Sequence, residues 1–139
     1  DASTLVNGNA SVQWFDKDGK QRIDAATLAD GQASVVWIDM NGKPRIDAAT
    51  LADGQANVQW LDPDGKKRII VGSLADGQGS VQFWDAKGMK RIDVSTIVGG
   101  LTTLQVLDKD GSKRLEAGIN ADGTVILPNA DSAPTKAKP

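Results

Sequence analysis

The chain repeats itself at a period of 23 residues, and no other feature narrows its fold as much. "SVQWFDKDGKQRIDAATLADGQA" (11–33) is followed directly by "SVVWIDMNGKPRIDAATLADGQA" (34–56), and three less faithful copies come after. The period runs without an insertion from Asn7 to Asp122. One anchor is a turn dipeptide: Asn7-Gly8, then Asp-Gly at Asp30, Asp53 and Asp76, Gly-Gly at Gly99, and Asp-Gly again at Asp122. A second is Asp-x-x-Gly, opening at Asp16, Asp39, Asp62, Asp85 and Asp108 and followed three residues after its glycine by Arg22, Arg45, Arg68, Arg91 and Arg114. Fixed periods of this size mark proteins built by stacking one supersecondary unit. The units are 11–33, 34–56, 57–79, 80–102 and 103–125, with half-units at the ends, giving a single hairpin-repeat domain over 1–127. The Pro- and Lys-rich remainder, 128–139, lacks apolar anchors and reads as a disordered tail or linker.

Each unit holds two strands and two turns. "SVQWFD" and "RIDAATLA" carry the β-branched and apolar residues of strands. Asp-Gly between strands is the signature of a two-residue type I′ hairpin loop. "DKDG" and "DPDG" read as a type I turn followed by a glycine in the left-handed conformation, with Pro63 where such a turn accepts proline. Two tight reversals per unit predict an all-β protein: an antiparallel meander of about a dozen short strands, either closed like a barrel or propeller or forming an oligomeric sheet. The alternative is a β-solenoid with one coil per repeat.

These loops imply a register. Pairing Asp16 with Lys20 sets Trp14 opposite Arg22, and pairing Ala29 with Gln32 sets Arg22 opposite Asp39. Each Arg then lies between the Trp of its own hairpin and the Asp of the next turn, a ladder of stacking and ion pairing. In that register one face carries Phe15, Ile38, Leu61, Trp84 and Leu107 with Ile23, Ile46, Ile69, Ile92 and Leu115. The other carries the Val row, Trp14, Trp37, Trp60, Phe83, and the Arg and Asp side chains. Both faces are then apolar, which a free-standing antiparallel sheet should not be. Either the sheet closes and its outside is covered, or the second face packs on another copy of the chain.

The chemistry is sparse. The 139 residues include no Cys, His or Tyr, which removes the thiolate nucleophile, the usual general base and the commonest metal ligand. The net charge is −2 with the signs interspersed along the chain, so nothing announces nucleic acid, and the apolar runs are too short to span a bilayer as a helix. The acidic turns miss the EF-hand spacing: glycine falls fourth, and Thr27 stands where a bidentate Glu is needed. Phosphate-loop glycines are missing, and Lys20, Lys43 and Lys66 read as solubilising turn tips. Asp24, Asp47, Asp93 and Glu116 repeat one position, whereas an acid–base pair needs two different environments. No catalytic residue, cofactor or metal ligand is therefore expected, and the chain reads as a non-enzyme. Trp14, Trp37 and Trp60 would serve as sugar-stacking platforms with Gln13, Gln59 and Gln82 as hydrogen-bonding neighbours, or as one layer of a core or interface; the latter reading is preferred. Departures cluster late: Ile70 replaces an acid, Gly72 replaces alanine, Phe83-Trp84 replaces the Trp-aliphatic pair, and Gly99 replaces Asp.

The stretch "SVVWIDMNGKPRIDAATLADGQ" resembles tandem units of the form aliphatic-x-Asp-x-x-Gly-x-x-Arg, then Asp-Gly, in uncharacterised bacterial repeat proteins. The resemblance spans 4–127 and implies a bacterial, exported repeat protein; it implies no catalytic residue. A chain opening at Asp1 fits a processed secreted protein or a trimmed one. The expected role is a structural or adhesive module that self-associates through apolar sheet faces as a homo-oligomer, part of an extracellular or cell-surface fibre. The alternative is a multivalent glycan-binding protein. Trp14, Trp37, Trp60, Phe83, Trp84, Arg22, Arg45, Arg68 and Ile70 are the candidate ligand or interface residues.

Overall fold

The computed structural model describes residues 2–4, 9–97 and 99–127. The Asn-Gly pair at Asn7 and the expected tail, 128–139, lie outside the described residues. Twelve strands follow one another: β1 (Ala2–Thr4), β2 (Ala10–Phe15), β3 (Gln21–Thr27), β4 (Ala33–Ile38), β5 (Pro44–Thr50), β6 (Ala56–Leu61), β7 (Lys67–Ser73), β8 (Gly79–Trp84), β9 (Lys90–Thr96), β10 (Thr102–Leu107), β11 (Lys113–Ile119) and β12 (Val125–Ile126). They form a single sheet in sequence order, every neighbouring pair antiparallel. The meander is therefore the architecture and the solenoid is not. The sheet does not close, because β1 pairs only with β2 and β12 only with β11.

All the described turns close by the same pair of backbone hydrogen bonds. At Asp16-Lys17-Asp18-Gly19, the Gly19 amide donates to the Asp16 carbonyl at 3.0 Å, and the Asp16 amide donates to the Lys20 carbonyl at 2.8 Å. Gly19 has φ +74°. That is the expected type I turn closed by a left-handed glycine. The Asp-Gly loops do the same, contrary to the two-residue expectation. Gly31 donates to the Leu28 carbonyl at 3.0 Å, Leu28 pairs with Gln32, and Gly31 alone has positive φ, +88°. A type I′ turn needs positive φ at both central residues, and Asp30 does not adopt it. The loop thus spans Ala29–Gly31, one residue more than expected. Only at Gly99-Gly100 are two consecutive residues left-handed, +94° and +88°, so the loss of Asp at 99 matches a backbone that glycine adopts without cost.

A second one-residue difference lies inside each Asp-x-x-Gly hairpin. Phe15 pairs with Gln21, but Trp14 pairs with Ile23, leaving Arg22 as the extra residue of a β-bulge. The same step leaves out Arg45, Arg68, Arg91 and Arg114. The arginine shared by all five repeats is the bulge residue, not the partner of Trp.

Each difference shifts the register by one and so turns a strand over. Across a whole repeat they cancel, so Trp14, Trp37 and Trp60 keep a common face. The return strands between them are reversed relative to the sequence expectation. Ile23, Ile46, Ile69 and Ile92 join the Trp row, while Asp24, Asp47 and Asp93 join Gln13, Gln59 and Gln82 on the other side. The sheet is therefore not apolar on both faces. One face is uncharged, and the opposite face mixes acids, amides and hydroxyls with a border of Phe15, Ile38, Leu61, Trp84 and Leu107.

Candidate interaction surface

The uncharged face is three rows deep. Beside the Asp-x-x-Gly turns run Trp14, Ile23, Trp37, Ile46, Trp60, Ile69, Phe83, Ile92, Val106 and Leu115. The middle row is Val12, Ala25, Val35, Ala48, Val58, Val71, Val81, Val94, Leu104 and Ala117. The third row, beside the Asp-Gly turns, starts Ala10, Thr27, Ala33, Thr50 and Ala56 and stays small as far as Gly79. Thirty positions on β2–β11 thus carry no charge. Side-chain bulk falls from the Trp row to the Ala and Thr row, so the face is graded across its width. Over β2–β7 the small and middle rows form an open trough of about 800 Å³.

Among the described residues no second layer covers these rows. Among the described residues no apolar side chain is buried. Trp14, Trp37 and Trp60 are 49, 39 and 36% exposed, and Phe83 is exposed as well. Stable domains pack at least two layers around a core, and the described residues supply one.

The bulge arginines tie the rim of this face. Arg22 donates through Nε and Nη2 to Asp16 Oδ2, at 2.8 and 2.5 Å, and through Nη1 to the Asp39 carbonyl of the next turn at 2.5 Å. Arg68 donates through Nη2 to Asp62 Oδ2 and through Nη1 to the Asp85 carbonyl. Arg45 bonds the Leu61 carbonyl at 2.9 Å and lies 3.5 Å from Asp39. Each Arg thus pairs with the carboxylate of its own turn, six residues earlier, and Arg22, Arg45 and Arg68 also reach a backbone carbonyl at or beside the following turn. The expected partner, the next turn's carboxylate, is not the one used.

Those carboxylates also close their own loops. Asp16 Oδ1 accepts the amides of Asp18 at 2.9 Å and Lys20 at 3.0 Å, and the pattern recurs at Asp39, Asp62, Asp85 and Asp108. The Lys20 amide above all, then Arg22, holds the Asp16 carboxyl below its ordinary value of 3.8 against the opposing pull of desolvation. Asp39, Asp62 and Asp85 are lowered for the same reasons, led by the amides of Lys43, Lys66 and Met89. At Asp108 the Asp110 amide leads. With one oxygen on two amides and the other on a guanidinium, these acids are employed in turn closure.

The remaining candidates do not converge. Ile70 lies on the charged face and lines a shallow hollow of about 300 Å³ with Asn57, Gly72, Gln82, Asp93 and Ser95. Trp84, on the same face, pairs with Lys90 beside the Asp-x-x-Gly turns, whereas Gly99 sits in a loop at the opposite edge. The three departures therefore do not make one site. Asp93 is 8% exposed, with Lys90 Nζ at 2.5 Å and Gln82 Nε2 at 3.4 Å on Oδ2. The register also separates the Trp platforms from Gln13, Gln59 and Gln82, which lie across the sheet from them. Sequence reasoning missed the small third row and the place of the Ile row. The anomaly of two apolar faces was the signal that a strand had been turned over.

No protein-family profile matches the chain, and neither does any curated protein sequence.

Proposed function

We propose that the protein is a non-catalytic structural or adhesive module that works by self-association, its uncharged face packing on a second copy of the same chain. The single observation that carries this reading is the continuous run of thirty uncharged positions with no layer of described residues over them. Ten strands at ~4.8 Å spacing and three rows at ~6.8 Å give roughly 1,000 Å² per chain. A standard stable interface uses about 800 Å² per partner. Apolar surface of this extent is otherwise rare on a monomer. The repeat supplies the mechanism, since one hairpin buries little while ten strands in register present a broad, regular surface. A role in an extracellular or cell-surface fibre of a bacterium follows the same logic of repeated burial.

Tryptophan fluorescence tests the reading, because three of the four indoles lie on the face in question. In the associated protein, emission should be blue-shifted and resistant to acrylamide, turning red and quenchable on dilution or in Val58→Asp. Emission that is red and freely quenched at every concentration would contradict it. A spectral response to glycans with no change on dilution would favour sugar binding instead.

A further inference from the structure

The two long edges of the sheet carry opposite charge. All fourteen Lys and Arg among the described residues fall between the Asp of an Asp-x-x-Gly turn and the bulge arginine that follows it. Eight Asp share that edge, leaving a formal excess of six positive charges. The other edge holds Asp30, Asp53, Asp76 and Asp122 and, among the described residues, no basic residue. The signs are interspersed along the chain but segregated in space. Bulk is graded in the same direction, from the Trp row at the basic edge to the Ala and Thr row at the acidic one.

We infer that two copies pair face to face about a two-fold axis that lies between the sheets and runs across the strands. The inference rests on the self-association reading above. That operation keeps strand order and reverses strand direction. It sets the large row of one copy against the small row of the other, so the sum of side-chain heights stays even across the ~10 Å gap between packed sheets. Trp14, Trp37 and Trp60 of each copy then enter the trough over Ala10, Thr27, Ala33, Thr50 and Ala56 of its partner. The same operation brings the basic edge over the partner's acidic edge. A two-fold axis parallel to the strands does neither: it stacks Trp row on Trp row and basic edge on basic edge. Opposed potentials favour one alignment, and like charges along a whole edge reject the other.

Zero-length carbodiimide cross-linking with peptide mapping tests the alignment on the unmodified protein, alongside its mass in solution. Strands of seven residues hold the two edges roughly 24 Å apart within a chain, so a bond from an edge Lys to an Asp of the other edge must join two molecules. The expected result is a covalent dimer with links from Lys20, Lys43 or Lys66 to Asp30, Asp53 or Asp76. These links should fade in high salt and vanish in Val58→Asp. A dimer without any cross-edge link would overturn the alignment while leaving self-association intact. Cross-edge links that persist in Val58→Asp would mean side-by-side contact and overturn it too. A monomer at all concentrations would remove both proposals.

Discussion

The two edges of the sheet use the same turn and differ in what surrounds it. Both close by a glycine amide on a carbonyl three residues back, with that glycine left-handed. At the Asp-x-x-Gly edge the leading Asp accepts two amides and pairs with the bulge Arg, and that Arg in most repeats reaches the next turn. At the Asp-Gly edge, Asp53 accepts only the Gln55 amide, at 3.1 Å, and its side-chain amide at 2.6 Å. Over the first three repeats the arginines therefore link one turn to the next, whereas the Asp-Gly loops are closed mainly by their own Asp, the Ala29 amide also donating to Asn9 Oδ1 at 2.8 Å. Asp-x-x-Gly specifies its local turn, whereas strand register also depends on a bulge that no turn residue announces.

The largest expected effect contrasts the two faces on a single strand. Val58 and Gln59 are neighbours on β6 and lie on opposite faces. Val58→Asp places an unpaired charge in the proposed interface. It should abolish association and lower the melting temperature by on the order of 10 °C. Gln59→Lys, facing solvent beside Asp47, should leave the mass unchanged and shift melting by about 2 °C at most. Equal behaviour of the two variants in light scattering and calorimetry would erase the distinction between the faces.

The next contrast is between the edges. Asp39→Ala removes the acceptor for the Asn41 and Lys43 amides and the partner of Arg45, and a loss of roughly 3–6 °C is expected. Asp53→Ala removes one local acceptor and should cost roughly half as much. Thermal melts of the two variants side by side decide it.

Titration sharpens the same point. Asp16, Asp39, Asp62, Asp85 and Asp108 all have folded-state values below the ordinary 3.8. A depressed carboxylate contributes stability that is complete above its unfolded value and is lost as pH falls through the folded one. Melting temperature should therefore be level with respect to these groups from neutral pH to about 5, then drop as pH falls below about 4. Repeating the series with Asp39→Ala should flatten the drop, because one contributor has been removed.

Much of this was legible in the residues. The period gives twelve strands in a row, and Asp-x-x-Gly with Pro63 at its second place gives the turn type. The faces were not legible, for two physical reasons. Asp-Gly fits two-residue and three-residue loops alike, and only the sign of φ at Asp30 separates them. Arg22 has no feature that marks it as a bulge residue until Trp14 is seen to pair with Ile23. Each ambiguity is one residue wide, and in a structure of period two that is enough to send Ile23 and Asp24 to the wrong sides. The segregation of charge to the two edges was present in the sequence, since every Lys and Arg of the repeats follows an Asp-x-x-Gly aspartate, but it becomes a spatial fact only once those turns share an edge.

The smallest expected effect concerns the irregular third repeat. Lys90–Asp93 and Lys113–Glu116 form ion pairs three residues apart, whereas Lys67 faces Ile70 at that spacing. Ile70→Asp restores the pattern on the solvent face. Stability should change by no more than about 0.5 kcal/mol in urea melts, and association should be unaffected.

The central claim is that a one-layer sheet gains its second layer from another copy, and the mass in solution tests it most directly. Light scattering on a sizing column, over a hundredfold range of concentration, should give a species of at least twice 14.6 kDa that dissociates only on dilution or with Val58→Asp. A single species of 14.6 kDa across the whole range, folded and melting cooperatively, would contradict the account.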